Sequence, residues 1–158
     1  MAAIKFDSPV GELLITAYGG FIVGVNFTFE GAPLPLNFPD DADETDVINL
    51  CISELKAYFD GTLKEFSVPI KAYGTDFRKI VWEALQTIPY GEAISYKQLA
   101  EKIGKPTASR AVGGANHHNP INIIIPCHRV VGASGKLTGY GGGIDNKEFL
   151  LELEKGNE

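Results

Sequence analysis

Ser95-Tyr96-Lys97-Gln98-Leu99-Ala100-Glu101-Lys102-Ile103-Gly104-Lys105-Pro106-Thr107-Ala108-Ser109-Arg110-Ala111-Val112-Gly113-Gly114-Ala115-Asn116 reads as two short helices around a tight turn. Ser95 offers a capping oxygen to the first helix, and Leu99, Ala100 and Ile103 give it an apolar face. Gly104-Lys105-Pro106 interrupts the pattern, and Thr107 can cap a second helix running to Asn116. This is the layout of a helix-turn-helix, although many purely structural helix pairs share it. Gly113 and Gly114 are unexpected inside a helix, where each costs about 1 kcal/mol relative to alanine. Two readings stay open. The helix ends there on a glycine cap, or Ala111, Gly113, Gly114 and Ala115 keep one face flat enough for another backbone to come close.

Upstream, Thr75 can cap a helix from Asp76 to Leu85 that stops before Pro89. The chain before that has another character. Leu13–Tyr18 and Phe21–Phe27 are β-rich runs on either side of Gly19-Gly20, a hairpin signal. A loop follows that is rich first in proline (Pro33, Pro35, Pro39) and then in acid (Asp40, Asp41, Asp43, Glu44). From Asp46 to Phe59, apolar residues at Val47, Leu50, Cys51, Leu55, Tyr58 and Phe59 have the spacing of an amphipathic helix, which Gly61 stops. Phe66-Ser67-Val68 predicts a further short strand. The expected fold is α+β, with a small strand-and-helix domain over residues 1–70 and a mostly helical domain over residues 71–158.

With 158 residues and 44% hydrophobic content the chain can build a real core, which excludes disorder. No apolar run reaches membrane-spanning length and no secretory leader is visible, so the expectation is a soluble protein of the cytoplasm, or of the nucleus in a eukaryote. The net charge of −6 argues against a nucleic-acid partner only until the chain is divided. Residues 1–70 carry three Lys/Arg against eleven Asp/Glu, or −8, whereas residues 71–158 carry eleven against nine, or +2. Any nucleic-acid contact is thus expected from the second half, and not on charge alone.

Two cysteines are too few for a disulfide framework or a four-cysteine zinc site. Cys51 fits a helical core, where a free thiol behaves as a small hydrophobe. Cys127 stands elsewhere, in Asn119-Pro120-Ile121-Asn122-Ile123-Ile124-Ile125-Pro126-Cys127-His128-Arg129-Val130-Val131. A strand-like apolar run stops at Pro126, and Cys127 follows beside two groups that can be cationic. Such surroundings favour the thiolate, the attacking form, although Cys beside His and Arg also occurs by chance.

The hexapeptide Ile125-Pro126-Cys127-His128-Arg129-Val130 resembles the active-site motif of the O6-alkylguanine-DNA alkyltransferases, the methylated-DNA–protein-cysteine methyltransferases. The resemblance continues in register through Thr87-Ile88-Pro89-Tyr90-Gly91, Ser95-Tyr96, Arg110–Ala115, Asn119-Pro120 and Tyr140-Gly141-Gly142-Gly143, covering roughly residues 75–155. Residues 1–70 merely fit the small ribonuclease-H-like domain that precedes the catalytic domain in this family.

The resemblance implies repair of double-stranded DNA by irreversible transfer of a methyl or small alkyl group from guanine O6, and secondarily from thymine O4, to Cys127. Nothing offers a way to remove that group, so each molecule acts once, without cofactor. His128 would be the general base working through a water, and Glu154 would hold the imidazolium, which is triad logic applied to alkyl transfer. Glu152 competes for that place on spacing; the family register selects Glu154. Tyr96 would donate to the departing guanine, and Asn119 would tie the turn after the second helix to the active-site turn. Tyr96, Tyr140, Gly141 and Val130 would wall the alkyl pocket. Arg110 would fill the stack vacated by a flipped nucleotide. Thr107, Ser109, Ala111, Gly113, Gly114 and Ala115 would carry the second helix into the minor groove, where small side chains suit a narrow space.

Some relatives carry zinc, but residues 1–70 contain one cysteine and no histidine, and His117-His118 lacks a matching pair, so no metal is expected. That histidine pair is placed at the DNA-facing end of the second helix. Gly141 stands where some relatives bear a hydroxyl, and Asn122 interrupts an apolar run with no evident partner. A monomer is expected. The main alternative is a lesion-binding module without transfer, against which the presence of Cys127 argues. A helix-turn-helix transcription factor would leave the reactive motif unexplained, and a cysteine hydrolase would ordinarily hold its Cys and His far apart in sequence.

Overall fold

The computed structural model describes residues 1–30, 43–137, 140 and 142–157. It divides into two compact units, residues 1–73 with 120–122, and residues 74–119 with 123–158. The proline- and acid-rich loop of residues 31–42 lies outside the described residues, as does Gly141.

The first unit is a three-stranded antiparallel sheet, β1 (Ala2–Ser8), β2 (Gly11–Tyr18) and β3 (Phe21–Phe27), in that order, with helix α1 (Thr45–Phe59) against it. The Gly19-Gly20 hairpin joins β2 to β3 as its sequence predicts, and the carboxylate of Glu44 accepts from the backbone N–H groups of both glycines at 2.7 and 2.9 Å. β1 precedes the hairpin where no strand was expected, because only Ala2, Phe6 and Ser8 of it are even half-buried and its alternation is weak. The core is built from Leu13, Ile15, Val25 and Phe27 of the sheet with Cys51, Leu55 and Tyr58 of α1. Gly61 takes the left-handed conformation that ends α1, at φ 78°.

Phe66–Val68 is not a strand. Buried Glu54 takes the N–H groups of Ser67 and Val68 at 3.0 and 2.8 Å, and a carboxylate thus replaces the ladder the β-rich composition suggested. The free edge of β3 is covered twice. Ile22 donates to Pro69 and accepts from Lys71, while Val25 donates to the Pro120 carbonyl at 2.9 Å. Asn122 closes that second bridge, its backbone N–H and its Nδ2 each donating to the Val25 carbonyl at 2.9 Å. The polar interruption of the apolar run is therefore an edge cover. The run itself is not a strand either, for it turns at Ile123, whose φ of 73° is strained for a β-branched residue.

The second unit contains α2 (Asp76–Leu85), β4 (Ile94–Ser95), α3 (Tyr96–Lys102), α4 (Ser109–His117), β5 (Val130–Val131) and α5 (Ile144–Gly156). Thr75 caps α2 by accepting from the Arg78 N–H at 3.2 Å, and Ser95 with Gln98 forms a capping box on α3. α3 closes on Gly104 at φ 77°, where the Lys105 N–H reaches back to the Ala100 carbonyl at 2.9 Å. α2, α3 and α4 pack on one another. Trp82 of α2 donates its indole N–H to the Ala115 carbonyl of α4 at 2.8 Å, and a Cβ on Gly74 would come within 2.5 Å of its ring. β4 and β5 form a short parallel pair, Ile94 opposite Val130. No described helix is long and apolar enough to cross a membrane.

Candidate active site

Pro126 shapes the turn that presents Cys127. Its φ and ψ of −81° and 64° make an inverse γ-turn, closed by the Cys127 N–H donating to the Ile125 carbonyl at 2.8 Å. The same carbonyl accepts from Asn119 Nδ2 at 2.8 Å, so Asn119 holds this turn from the segment after α4. Asn116, on α4 itself, adds a second tie, with Nδ2 3.3 Å from the Cys127 carbonyl. A single 3₁₀ turn over Cys127–Arg129 then buries all three side chains.

His128 is fully buried, and its Nε2 lies 2.6 Å from Glu154 Oε2. Its Nδ1 is buried without a hydrogen-bond partner among the described residues. Arg129, which the sequence places beside the thiol as a possible cation, is hydrogen-bonded elsewhere. It folds onto the same glutamate, with Nε 2.7 Å from Oε1 and Nη2 3.0 Å from Oε2, and its Nη1 donates to the Ile88 carbonyl at 2.7 Å. The Gly91 N–H adds a longer donation to Oε1 at 3.3 Å.

α5 supplies the other half of the site. Lys147, Leu150 and Glu154, spaced by three and four residues, form its buried stripe. Lys147 has no exposed surface, and its Nζ lies 6.0 Å from the centroid of the Tyr96 ring. Glu152, the competing carboxylate, is exposed.

The electrostatics follow from burial. Burial alone would raise the Glu154 carboxyl, but the hydrogen bonds and charges of His128 and Arg129 outweigh it and hold the group well below the usual carboxylate range. His128 is pulled down chiefly by burial and further by Arg129 and Lys147, against the attraction of Glu154. These effects favour a carboxylate at Glu154 and a neutral imidazole at His128, for which a hydrogen on Nε2 would match the 2.6 Å contact. Burial also pushes Lys147 down to about 8, while negative charge at Cys127 acts to raise it. Cys51 is the opposite case: burial, with the Glu54 charge, pushes its thiol up to about 12 and makes it inert.

Among the remaining residues singled out in the sequence, Tyr96 is half-buried at the start of α3, next to Gly113, whose Cβ would meet its ring at 3.7 Å. Val130 and Tyr140 are buried. Arg110 and Ala111 are exposed near the start of α4, and Ser109 is half-buried. Thr107 is exposed and does not cap α4, whose cap position is Ala108. The glycines do not end the helix, which runs on to His117, and a Cβ on Gly114 would meet nothing within 4 Å. Ala115 departs from the flat-face expectation, being buried on the side that meets α2. Ser95, Tyr96 and Gln98, with Ser109 and the Ala133-Ser134 turn, edge an open depression of about 610 Å³. His117 and His118 are exposed at the end of α4, where His118 Nδ1 lies 2.8 Å from the Gly114 carbonyl.

The sequence reading passed over Arg129 as a partner of Glu154, and over Lys147 and Asn116 altogether. A lysine on the apolar stripe of α5 is the signal that could have found Lys147, the more so in a first helical turn, where the macrodipole disfavours a cation. Arg129 and Asn116 left no comparable periodic trace.

Residues 76–156 match the model for the 6-O-methylguanine DNA methyltransferase DNA binding domain, and residues 1–72 that for its ribonuclease-like domain. A methylated-DNA–protein-cysteine methyltransferase of Methanosarcina barkeri is 61% identical over 152 residues, covering 96% of this chain and 95% of the relative. One from Mycobacterium tuberculosis is 51% identical over 152 residues, covering 94% and 89%. The crystal structure of Mycobacterium tuberculosis OGT in complex with DNA superposes with a TM-score of 0.85 at 49% identity, covering 97% of this chain and 92% of that one.

Proposed function

Because the chain belongs to the methylated-DNA–protein-cysteine methyltransferase family, we propose that it repairs alkylated DNA by moving the alkyl group from guanine O6 in a duplex onto Cys127. The observation that carries the assignment of Cys127 is its neighbour, a buried imidazole held by a carboxylate at 2.6 Å with the other ring nitrogen left to accept a proton. That arrangement serves a nucleophile. Cys51 has no such partner among the described residues, and burial holds its thiol protonated.

In this reading the Cys127 thiol gives its proton through one water to His128 Nδ1, and Glu154 stabilises the imidazolium. Sulfur attacks the alkyl carbon, the S–C bond forms as the C–O6 bond breaks, and the electron pair passes into the guanine ring. Tyr96 donates a proton to the base, so guanine leaves neutral, and the proton on His128 restores the balance. The thioether is stable and nothing in the site hydrolyses it, so the reaction is stoichiometric and needs no cofactor. Lys147, buried below Tyr96, favours the thiolate by its charge. Asn119 and Asn116 hold the Cys127 turn in place, and Tyr96, Val130 and Tyr140, with Gly141, wall the pocket.

DNA enters on the helical domain, here residues 71–158, where α3 and α4 act as a helix-turn-helix. The exposed small residues Ala111 and Gly114 let α4 approach a narrow minor groove, with Arg110 filling the stack after the base flips and Thr107 and Ser109 close to the phosphates. The small N-terminal domain spans residues 1–70. The protein works as a monomer, in the cytoplasm or, in a eukaryote, the nucleus. Thymine O4 is a secondary donor.

Intact-protein mass spectrometry after incubation with an O6-methylguanine duplex tests this, with Cys127→Ser as control. One added methyl, mapped to Cys127 and missing from the variant, is expected. Binding without any mass change would replace transfer by lesion recognition, and repeated turnover would replace it by hydrolysis.

A further inference from the structure

We propose that Arg129 is a positioning residue: by forking onto Glu154 it keeps that carboxylate aimed at His128 Nε2 and leaves His128 Nδ1 as the atom that receives the Cys127 proton. The inference deepens the alkyl-transfer reading and rests on it for the purpose the proton serves.

Glutamate has three rotatable bonds, and a buried one needs every lone pair occupied. Here Arg129 Nε and the Gly91 N–H occupy Oε1, and Arg129 Nη2 shares Oε2 with His128. The guanidinium is fixed in turn by the Ile88 carbonyl at 2.7 Å and by the Tyr90 ring, whose centroid lies 5.6 Å from its central carbon. A planar fork fixed at both ends leaves the carboxylate one orientation, the one in which Oε2 meets the imidazole. Lysine could match the charge but not the fork.

The same contact sets the charge of His128. Arg129 and Glu154 together are neutral, so with a neutral His128 the buried positive charge of the cluster is that of Lys147. Protonating His128 would add a second buried positive charge, facing Lys147 of α5. Without Arg129 the Glu154 charge loses its direct counter-ion and one of the two cations that hold His128 down is gone, so protonation of His128 is favoured. The imidazole would then hold its own proton at rest and could not take one from the thiol. Cys127, Glu154, Lys147 and Arg129 are the charged or titratable groups in play around His128.

The chain has three histidines, so the ring-nitrogen NMR signals of His128 can be assigned by subtraction against His128→Asn. In the wild-type protein between pH 6 and 7 the Nε2–H tautomer with bare Nδ1 is expected. A wild-type imidazolium in that range would overturn the proposal without any variant. In Arg129→Gln the imidazolium is expected instead. The acid limb for Cys127 alkylation by iodoacetamide should move to higher pH, costing about tenfold in rate for each pH unit below it. Arg129→Lys should keep the limb where the wild type has it and lower the plateau, since charge is retained and geometry lost. If Arg129→Gln folds, keeps the neutral tautomer and the limb and loses only stability, Arg129 is structural and the proposal falls. If Arg129→Gln does not fold, the wild-type tautomer and the Arg129→Lys limb decide. Loss of methyl transfer from DNA with the tautomer intact would strike the transfer reading and leave Arg129 in its role.

Discussion

Replacing Lys147 with methionine should make the protein more stable and its thiol less reactive, a pairing that ordinary core damage does not produce. Lys147 is fully buried and lowered from 10.5 to about 8. That displacement, at about 1.4 kcal/mol per pH unit, places the cost of burying its charge at roughly 3–4 kcal/mol at neutral pH. Methionine has nearly the same length and no charge to desolvate. It forgoes the contact with the Tyr96 ring, worth about 1 kcal/mol. The net gain is at least about 2 kcal/mol, or about 4–8 °C in melting temperature for a protein of this size.

The sign with pH follows from the same displacement. The unfolded chain keeps this lysine protonated up to about pH 10.5, whereas the fold releases the proton near 8, so wild-type stability rises between those values. The advantage of Lys147→Met should therefore be full at pH 7 and gone by about pH 10.5, which melting curves at both ends would show. Iodoacetamide should label Cys127 at least about tenfold more slowly in the variant, the least effect expected when an opposite charge near a thiolate is removed. A variant no more stable than wild type at pH 7 would refute the buried-charge argument. A more stable variant with undiminished labelling would refute the link to Cys127.

Gly114→Ala should stabilise α4 by about 0.5–1 kcal/mol, since the added Cβ meets nothing within 4 Å, while weakening duplex binding measured by fluorescence anisotropy. Equal binding would show that this face does not enter a groove. Glu154→Gln should cost about 3–5 kcal/mol in urea melts, because it strands the Arg129 charge in the interior. A loss under about 1 kcal/mol would show that the pair is not buried in solution. His128 is held below its ordinary value by burial, so the unfolded chain takes up its proton first as pH falls through about 6.5. Stability should fall there by up to about 1.4 kcal/mol per pH unit, and His128→Asn should flatten that slope. An unchanged slope in the variant would mean another group is titrating.

How far the fold was legible depended on whether local signals governed each segment. The hairpin at Gly19-Gly20, the caps at Thr75 and Ser95 and the spacing of Val47, Leu50, Cys51 and Leu55 act over a few residues, and the elements they predict are present. Where a distant group takes over the backbone, local reading failed. Phe66–Val68 has strand composition, but its N–H groups belong to Glu54, more than ten residues back. Ile121–Ile125 reads as a strand, yet it forms isolated bridges, one of them from Ile121 to Val25, and the chain turns at Ile123. Thr107 has the right chemistry for a cap and stands one residue too early.

The site shows the same division in sharper form. Cys127 and His128 are adjacent in sequence, so their motif was visible, and Glu154 came from the register of the family rather than from any physical mark separating it from Glu152. That mark exists in three dimensions: Glu154 shares a buried stripe with Leu150 and Lys147, while Glu152 faces solvent. Arg129 reads in the sequence only as a charge next to a thiol, because its bond to Glu154 spans residues that no local pattern links. The guanidinium of Arg129 is bonded to Glu154, twenty-five residues away. Glu154 takes three donations from His128 and Arg129, and the other ring nitrogen of His128 has no hydrogen-bond partner among the described residues. Lys147, the cation that α5 buries, interacts with Cys127 through its charge.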